Sequence, residues 1–448
     1  MKNGWKTEPL GELCDIRNGS TPSKGNPAFW DGGTIPWFTI DDMREQGREI
    51  AFTRQKITNS ALSETSVKLL PEDSVLLCCT ASVGEFAITR IPLTTNQQFN
   101  GLVVKNRNQL DPNFLFHYAS TLKDELLGLS GKTTIDFIPI SRLRDVAVPV
   151  PPLAEQQRIV GLLDEAFEGL ATAKANAEKN LQNARALFES VLTTAMSGKL
   201  TKEWRKSHPH VETGSALLDQ ILAKRRRAWS KKGEYPEPTP SSKNDSQSIP
   251  ASWTWTNLSQ LKTFSLYGPR FSNDDYSQTG VLVLRTSDID ENGKVNSDTA
   301  PKLKMTEAEF DKYRCKKGDL LITRTGSLGT LAVFDDDTRA IPGAYLIQFR
   351  LGFSEVIPWF LFAFFKSPAA QARLTSGGTG AGIQNLNVPT LEAIPLPFPP
   401  IDEQREIVSQ LNTLAEETQR LARIYERKLS ALAELKKSLL HQAFTGEL

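Results

Sequence analysis

Two long stretches of the chain repeat apolar residues at helical spacing. In each stretch the apolar positions recur every three or four residues, as in the seam of a coiled coil. They are Ile159, Leu163, Ala166, Ala173, Ala177, Ala184, Leu187 and Val191 in the first, and Ile407, Leu411, Leu414, Leu421, Tyr425, Leu432, Leu435 and Leu439 in the second. One narrow apolar stripe does not stabilise a helix by itself. We therefore expect the two helices to pack as an antiparallel coiled coil. The alternative is that each folds back onto its own globular domain.

The ends of these helices are marked in the sequence. A proline pair precedes each stretch, at 151–152 and 399–400, and a glycine follows, at Gly198 and Gly446. Proline suits the first turn of a helix and glycine its C-terminal cap. The first helix is therefore predicted over 153–196.

The chain repeats itself at long range. PPLAEQQRIV at 151–160 recurs as PPIDEQREIV at 399–408. At the same offset AMSGKL (195–200) matches AFTGEL (443–448), and Trp5 matches Trp253. The chain is thus predicted to contain two copies, 1–200 and 249–448, with an insert between them.

Each copy begins with a region of short apolar runs, such as SVLLCC at 74–79 and DLLITR at 319–324, separated by turn-forming residues. This pattern predicts an α+β fold: two pseudo-repeated globular domains with β-rich cores, joined by two long helices. The predicted organisation is a first globular domain (1–150), a first spacer helix (151–200), a basic helix and flexible linker (201–250), a second globular domain (251–398) and a second spacer helix (399–448).

The insert has a helical part and a linker part. The segment 215–229 has an apolar face and ends in a basic run from Lys224 to Arg227. That run is either a solvated helix end or a contact for a phosphate or a partner. The Pro-, Ser- and Lys-rich segment 231–250 has the composition of an exposed linker.

Composition narrows the class of protein. Hydrophobic residues make up 39% of the 448 residues, and 53 Lys and Arg against 52 Asp and Glu give a net charge of +1. A polycation that binds nucleic acid by bulk attraction is disfavoured, although local basic faces remain possible. No apolar run approaches a transmembrane length of ~18 residues. The four cysteines and four histidines show no zinc-site spacing. We expect buried thiols, no metal site and a cytoplasmic location.

Three segments resemble catalytic or nucleotide-binding motifs, but each departs from its motif. GLSGKT at 128–133 lacks the Walker A spacing, GGTGAG at 377–382 is not a dinucleotide fingerprint, and NPAF at 26–29 departs from the adenine-methyltransferase tetrapeptide at Ala28. No candidate acid or base recurs in both copies. The sequence therefore favours a binding protein without catalytic residues or a cofactor of its own.

Loop residues that recur in both copies are the candidates for DNA contacts. Small hydroxyls and glycine N–H groups suit phosphates, whereas Arg, Lys, Asn and Gln read base edges. The recurring pairs are Thr39/Thr286, Asp41/Asp288, Thr80/Thr325 and Ser82/Ser327, with Lys132 and Thr133 opposite Thr379. Arg285 and Arg324 are paired with Phe38 and Cys79, and Arg270 is a further candidate. Ordinary turn chemistry explains many of the same residues.

This layout resembles the specificity subunit of type I restriction–modification enzymes. The resemblance covers the whole chain and is carried by the duplicated PP(L/I)xEQ(Q/R)xIV helix starts, the SGKLT and TGEL ends, GDLLITRTGSLG at 318–329, TKEWR at 201–205 and the RRRAW helix.

The resemblance implies two target-recognition domains, each reading one half of a bipartite double-stranded DNA sequence. The helices would set the spacing and dock two methyltransferase subunits, and restriction (translocase) subunits would join through the complex. ATP and the methyl donor would be held by the partners. Two other hypotheses stay open: a solitary or fused DNA methyltransferase or nuclease, and a coiled-coil scaffold without sequence-specific DNA binding.

Overall fold

The computed structural model describes residues 4–129, 138–230, 232–242, 248–376 and 385–448. Contacts divide the chain into two units. The first comprises Met1–Lys179 and Tyr425–Leu448, and the second comprises Asn180–Ile424. Each unit therefore holds one globular domain together with part of both long helices.

The first globular domain mixes short strands and short helices. Its strands are Lys6–Pro9 (β1), Cys14–Asn18 (β2), Ile35–Phe38 (β3), Glu49–Ile50 (β4), Gln55–Ile57 (β5), Val75–Cys78 (β6), Phe86–Thr89 (β7), Thr94–Thr95 (β8), Phe99–Val104 (β9) and Ala147–Val150 (β10). Its helices are Leu10–Leu13 (α1), Ile40–Gln46 (α2), Asn59–Glu64 (α3), Pro112–Ala119 (α4), Lys123–Leu129 (α5) and Ile140–Arg144 (α6). The strands form sheets of order β2-β9-β6-β7-β4 and β5-β3-β8 and the two-stranded ribbon β1-β10.

The central strand β6 is buried on both of its faces. Successive strand side chains point to opposite sides of a sheet. Accordingly, Cys78 packs with Leu76 and Phe99 in one core, whereas Cys79 packs with Leu77 and Phe114 in the other. The prediction that the adjacent thiols are buried is confirmed.

Three helices follow the first domain. They are Leu153–Met196 (α7), Lys202–Ser207 (α8) and Gly214–Arg227 (α9). The first has the bounds that the proline pair and Gly198 predict. Gly198 has φ +71°, and Lys199 N–H donates to Thr194 O over 3.1 Å, which caps the helix. In α9, Leu217, Leu218 and Ile221 are buried, as the apolar face predicts.

The second globular domain repeats most elements of the first, although its two larger sheets have four strands each instead of five and three. Its strands are Thr254–Thr256 (β11), Phe264–Tyr267 (β12), Tyr276–Ser277 (β13), Val281–Leu284 (β14), Lys302–Leu303 (β15), Asp319–Thr323 (β16), Leu331–Phe334 (β17), Ala340–Pro342 (β18), Leu346–Arg350 (β19) and Leu396–Phe398 (β20). Its helices are Leu258–Leu261 (α10), Glu307–Tyr313 (α11), Pro358–Lys366 (α12), Pro368–Ser376 (α13) and Val388–Glu392 (α14), and the chain ends in Ile401–Thr445 (α15). The sheet orders are β12-β19-β16-β17, β13-β15-β14-β18 and β11-β20.

The two long helices run antiparallel within each unit. In the first unit Arg158 Nη2 donates to Leu448 O over 2.8 Å, and Lys436 Nζ lies 4.6 Å from the ring centroid of Phe167. Residue numbers therefore rise along α7 as they fall along α15. In the second unit Thr201, just beyond α7, donates to Glu403 near the start of α15 over 2.6 Å.

The helices also pack on the globular domains, so both sequence interpretations hold in part. Ile159 and Leu163 belong to the core of the first domain, and Ile407 and Leu411 to that of the second. The predicted seam is wrong at its half-exposed leucines, since Leu187 and Leu435 are 49% and 48% exposed, and Leu421 is 36% exposed. An undistorted helix has about 3.6 residues per turn, so a repeat of about 3.5 residues drifts out of the interface along its length.

The duplicated EQ motif joins each long helix to its domain. Gln156 is fully buried, accepts the Asp111 N–H over 2.8 Å and donates to the carbonyls of Gln109 and Pro151, both at 2.8 Å. Gln404, in the second copy, accepts the Ile357 N–H over 3.0 Å. It donates to the carbonyls of Glu355 and Pro399 over 3.3 and 3.0 Å. This amide explains why the glutamine stands at the same place in both copies.

The glutamate of the second motif holds the start of the insert. Glu403 is fully buried and accepts from Thr201 Oγ1 over 2.6 Å and from Trp253 Nε1 over 2.8 Å. It also pairs with Arg205. Thr201 and Arg205 belong to the TKEWR segment, which therefore anchors the insert to the second domain.

Candidate nucleic-acid interface

One tight turn recurs in both domains and carries four of the predicted contact residues. It follows the central strand and spans residues 80–84 in the first domain and 325–329 in the second. Ala81 and Gly326 have φ of +63° and +81°, and Gly84 and Gly329 have φ of +85° and +83°. Both left-handed positions thus recur in the two copies, and the first of them holds alanine in one copy and glycine in the other.

The turn is pressed against a neighbouring helix in each copy. A Cβ at Gly84 would lie 2.8 Å from Lys123 Cγ at the start of α5, and one at Gly329 would lie 2.1 Å from Gln371 Oε1 of α13. A side chain at either glycine therefore requires its neighbour to move. The hydroxyl-bearing Thr80, Ser82 and Thr325 on these turns are half-buried and Ser327 is exposed.

A second recurring loop is fixed by a buried aspartate. Asp42 accepts the backbone N–H of Thr39 over 2.7 Å at the start of α2, and Asp288 accepts that of Arg285 over 2.8 Å. Each carboxylate thus caps its loop by accepting the backbone N–H of the residue three positions earlier. Asp288 therefore corresponds to Asp42 and Arg285 to Thr39. The sequence pairings of Asp41 with Asp288, of Thr39 with Thr286 and of Phe38 with Arg285 are thus each wrong by one position. The offset between the copies is smaller at this loop than at the helix starts, because the first copy is longer ahead of the loop.

Arg285 is held in place by its own loop. Its guanidinium donates to both oxygens of Asp288, over 3.1 and 2.8 Å, and to Thr299 O over 2.7 Å. Burial by itself would raise the pKa of Asp288, but the hydrogen bonds from Arg285 and Thr299 outweigh it and lower that pKa below its ordinary value. The predicted contact Thr286 follows directly, in a single 3₁₀ turn.

In the first domain a cleft of about 470 Å³ brings these two loops together. Residues of α2, including Ile40 and Arg44, line one side, and Ala81, Ser82 and Lys123 line the other. Asp41 is exposed and pairs with Arg44 over 3.0 Å. The structure thus places the predicted Asp41 and Ser82 loops on one surface. Lys123 was missed by the sequence reasoning, because a lone lysine at a helix start carries no recognisable signal.

Arg324 has a different environment in the second domain. Its guanidinium carbon lies 4.8 Å from the ring centroid of Tyr267, a cation–π distance. Tyr267 and the nearby Tyr345 are 38% and 57% exposed, and neither was singled out from the sequence. Their signal would have been an exposed aromatic present in only one copy. Arg270 is exposed and follows Tyr267 closely in the chain. Three further predicted contacts, Lys132, Thr133 and Thr379, lie outside the described residues.

Other chemistries find little support in the part of the chain that the structure describes. No group of three or more His, Cys, Asp or Glu residues in that part could hold a metal ion. Burial raises the pKa of Cys14 to about 12 and that of Cys79 to about 11, which keeps both thiols protonated at neutral pH. Within the same residues, no helix is long and apolar enough to cross a membrane.

Known proteins are similar to this chain in sequence. The specificity subunit of the type I restriction enzyme EcoKI of Escherichia coli K12 is 25% identical over all of this chain and 90% of its own length. The EcoprrI specificity subunit of E. coli is 34% identical, although that match spans 35% of this chain and 41% of the relative.

Two solved structures have the same fold. A chain from a type I R-M system aligns over 100% of this chain and 99% of its own, with a TM-score of 0.73 and 17% identity. The HsdS subunit of Thermoanaerobacter tengcongensis aligns over 100% and 98%, with a TM-score of 0.55 and 17% identity. The model of the type I restriction modification DNA specificity domain matches residues 2–181 and 252–426, and so the chain belongs to that family.

Proposed function

We propose that this chain is the DNA-specificity subunit of a type I restriction–modification complex and that each globular domain reads one half of a bipartite double-stranded target. The observation that carries the proposal is a turn that recurs in both domains and is preceded by different side chains. The turns at 80–84 and 325–329 share their left-handed positions, yet the preceding residue is buried Cys79 in one copy and Arg324 in the other. Two such domains present two different chemical surfaces from one scaffold.

The loop residues divide into contact and positioning roles. Hydroxyls and cations on loops suit phosphates, and free guanidinium groups suit base edges. We assign phosphate contacts to Thr80, Ser82, Lys132, Thr133, Thr286, Thr325, Ser327 and Thr379, and base contacts to Asp41, Arg270 and Arg324. Thr39, Arg285 and Asp288 are bonded within their own loops and position them.

The catalytic activities of the complex would belong to partner subunits. Two methyltransferase subunits would dock on the long helices and bind the methyl donor, and restriction (translocase) subunits would bind ATP. The complex would act in the cytoplasm of a prokaryotic cell, where its DNA lies. The long helices would set the distance between the two half-sites.

The decisive experiment reconstitutes the chain with its methyltransferase subunit and maps methylated adenines across a genome-sized DNA. The expected result is two short specified sequences at a fixed separation with unspecified bases between them. A single contiguous target, or methylation without sequence preference, would contradict the proposal. Binding of the methyl donor by the isolated chain would favour a methyltransferase instead. Absence of selective DNA binding in the complex would favour a scaffold.

A further inference from the structure

We propose that Arg324 reads a guanine in the half-site of the second domain and that Tyr267 is the residue that positions it. The inference rests on the proposed function and adds to it the base that is read and the residue that sets the reader. Its evidence is the contact between the guanidinium and the aromatic ring, together with the backbone that holds both residues.

The backbone of Arg324 is held by hydrogen bonds, whereas the N–H donors of its guanidinium are not paired with a carboxylate among the described residues. Its N–H donates to Tyr345 O over 2.8 Å, and its carbonyl accepts the Leu386 N–H over 2.7 Å. The guanidinium lies over the Tyr267 ring at 4.8 Å. Among the described residues no carboxylate pairs with it, in contrast to Arg285, which both oxygens of Asp288 hold. Arg324 therefore keeps its donors available for a ligand.

Tyr267 is itself anchored. Its hydroxyl accepts the Val388 N–H over 2.9 Å at the first turn of α14. The ring is thus held at both ends, by β12 through its backbone and by α14 through its hydroxyl. A flat ring held in this way restricts the rotamers of the guanidinium above it, which lowers the entropy lost when the arginine binds.

The first domain has the same backbone hydrogen bonds at the equivalent place but different side chains. Gly19 and Gly268 donate to equivalent carbonyls, Phe99 O and Leu346 O, both over 3.0 Å, and Cys79 N–H donates to Gln98 O as Arg324 N–H does to Tyr345 O. The backbone is therefore shared. The side chains are Asn18, Cys79 and Gln98 in the first copy and Tyr267, Arg324 and Tyr345 in the second.

The chemistry of the cluster favours one base. Arginine binds the O6 and N7 atoms of guanine with two parallel hydrogen bonds, the commonest specific contact to a base in the major groove. A pre-oriented guanidinium suits that geometry better than a phosphate contact, which tolerates many orientations of a mobile cation. The second domain is therefore assigned a guanine that the first domain does not read at its matching position.

The test measures adenine methylation by the reconstituted complex on DNA libraries randomised in both half-sites. In the wild type, replacing the assigned guanine should lower methylation at least fivefold, and this preference should fall below twofold in Arg324→Ala and Tyr267→Leu. Tyr267→Phe keeps the ring but removes the hydroxyl that anchors it to Val388, so its preference should lie between those of the wild type and Tyr267→Leu. Tyr345→Leu is the matched control, because Tyr345 contacts Arg324 through its backbone carbonyl. The half-site of the first domain should stay unchanged in every variant.

Several results would overturn the inference while leaving the proposed function intact. One is a bipartite target whose second half-site holds no guanine that depends on Arg324. Another is full discrimination in Tyr267→Leu, or a larger loss of discrimination in Tyr267→Phe than in Tyr267→Leu. A third is uniform weakening across all sequences with a smaller salt dependence in Arg324→Ala, which marks a phosphate contact. A wild-type complex without any bipartite target would instead refute the proposed function.

Discussion

Gln156 and Gln404, at equivalent positions of the two copies, make the same three hydrogen bonds at the starts of the two long helices. Both side chains are fully buried, and each joins the helix start to the loop that precedes α4 or α12. A glutamine amide is suited to this role because it offers two donors and one acceptor oxygen in a single plane.

Replacing either glutamine by alanine should destabilise the unit that contains it. Gln404→Ala leaves one N–H and two carbonyls without their partner, which predicts a loss of about 1–3 kcal/mol in the free energy of unfolding. Chemical denaturation followed by circular dichroism measures this loss. Gln157→Ala, at an exposed neighbour of Gln156, is the control and should change stability by less than about 0.5 kcal/mol. An equal effect of both substitutions would contradict the assignment.

The buried pair of Arg205 and Glu403 gives a second prediction. Arg205→Ala leaves the Glu403 carboxylate buried without its cation, so we expect a loss of about 3–5 kcal/mol in unfolding free energy. Adding Glu403→Gln removes the charge and should restore part of the loss. Arg158→Ala is the matched control, because Arg158 pairs with the glutamate of the other motif, Glu155, at a more exposed position. It should cost under about 1 kcal/mol. No recovery in the double variant would exclude the unpaired charge as the cause.

His117 makes the stability of the first unit depend on pH. The ring is buried, with Asp164 Oδ1 at 2.8 Å from Nε2. Burial lowers the pKa of His117, and the nearby Lys436 adds to this, against the opposing effects of Asp164 and Glu49. The unfolded chain therefore takes up the proton first. The stabilisation is fully present above the unfolded pKa of about 6.5 and declines as pH falls towards the lowered folded pKa.

Unfolding free energies at pH 7.5 and pH 5.5 measure this dependence. His117→Gln cannot be protonated and should show a smaller decrease between the two pH values than the wild type does. His441→Gln, at an exposed position, should behave like the wild type. A decrease of equal size in His117→Gln would show that other groups cause it.

The length of the long helices should set the separation of the half-sites. Duplicating one heptad in both α7 and α15, at 173–179 and 421–427, adds about 10 Å of helix at about 1.5 Å per residue. At about 3.4 Å per base pair this equals roughly three base pairs. Methylation mapping should show a longer spacer and unchanged half-site bases. The same heptad inserted at 241–242, in the linker, should leave the spacing unaltered, and unchanged spacing in the helix variant would refute the role of helix length.

Leu187 and Leu435 are candidates for docking the methyltransferase subunits. They stand at equivalent positions of α7 and α15, and they are 49% and 48% exposed. Two copies of one partner require the same surface twice, which this pair offers. Leu187→Glu and Leu435→Glu should each remove one partner from the complex, as measured by native mass. Leu421→Glu is the control, because Leu421 is exposed but corresponds to Ala173 in the other copy. Retention of both partners in the two test variants would refute the docking role.

The sequence predicted the fold wherever the signal was local or duplicated. The proline pairs and glycines defined the bounds of α7, and the long-range repeat indicated two domains of the same architecture. The exposure of the seam leucines was not predicted, because periodicity identifies an apolar stripe on a helix but does not show which of its residues are buried. A leucine available for docking and a leucine in the core look alike in sequence.

The candidate site was harder to predict, because its contacts depend on exact register and on residues that are far apart in the sequence. Asp41 and Asp42 are adjacent and chemically identical, and only the backbone N–H that each buried carboxylate accepts shows that Asp42 matches Asp288. Tyr267 and Arg324 are far apart in sequence, and their contact arises when β12 and β16 each pair with β19. Contacts made through a shared third strand leave no periodic trace along the chain.

The first and last strands of each globular domain pair with each other in a two-stranded ribbon. In the first domain Lys6 pairs with Val150, and in the second Thr254 pairs with Phe398, immediately before the proline pair that opens the long helix. The two chain ends of a domain therefore meet side by side. A foreign domain closed by the same ribbon needs only two adjacent junctions to take the place of the present one. Exchange at the ribbon then replaces a whole recognition surface at once, provided that the new domain fits the helix residues that pack into it, such as Gln156 and Ile159.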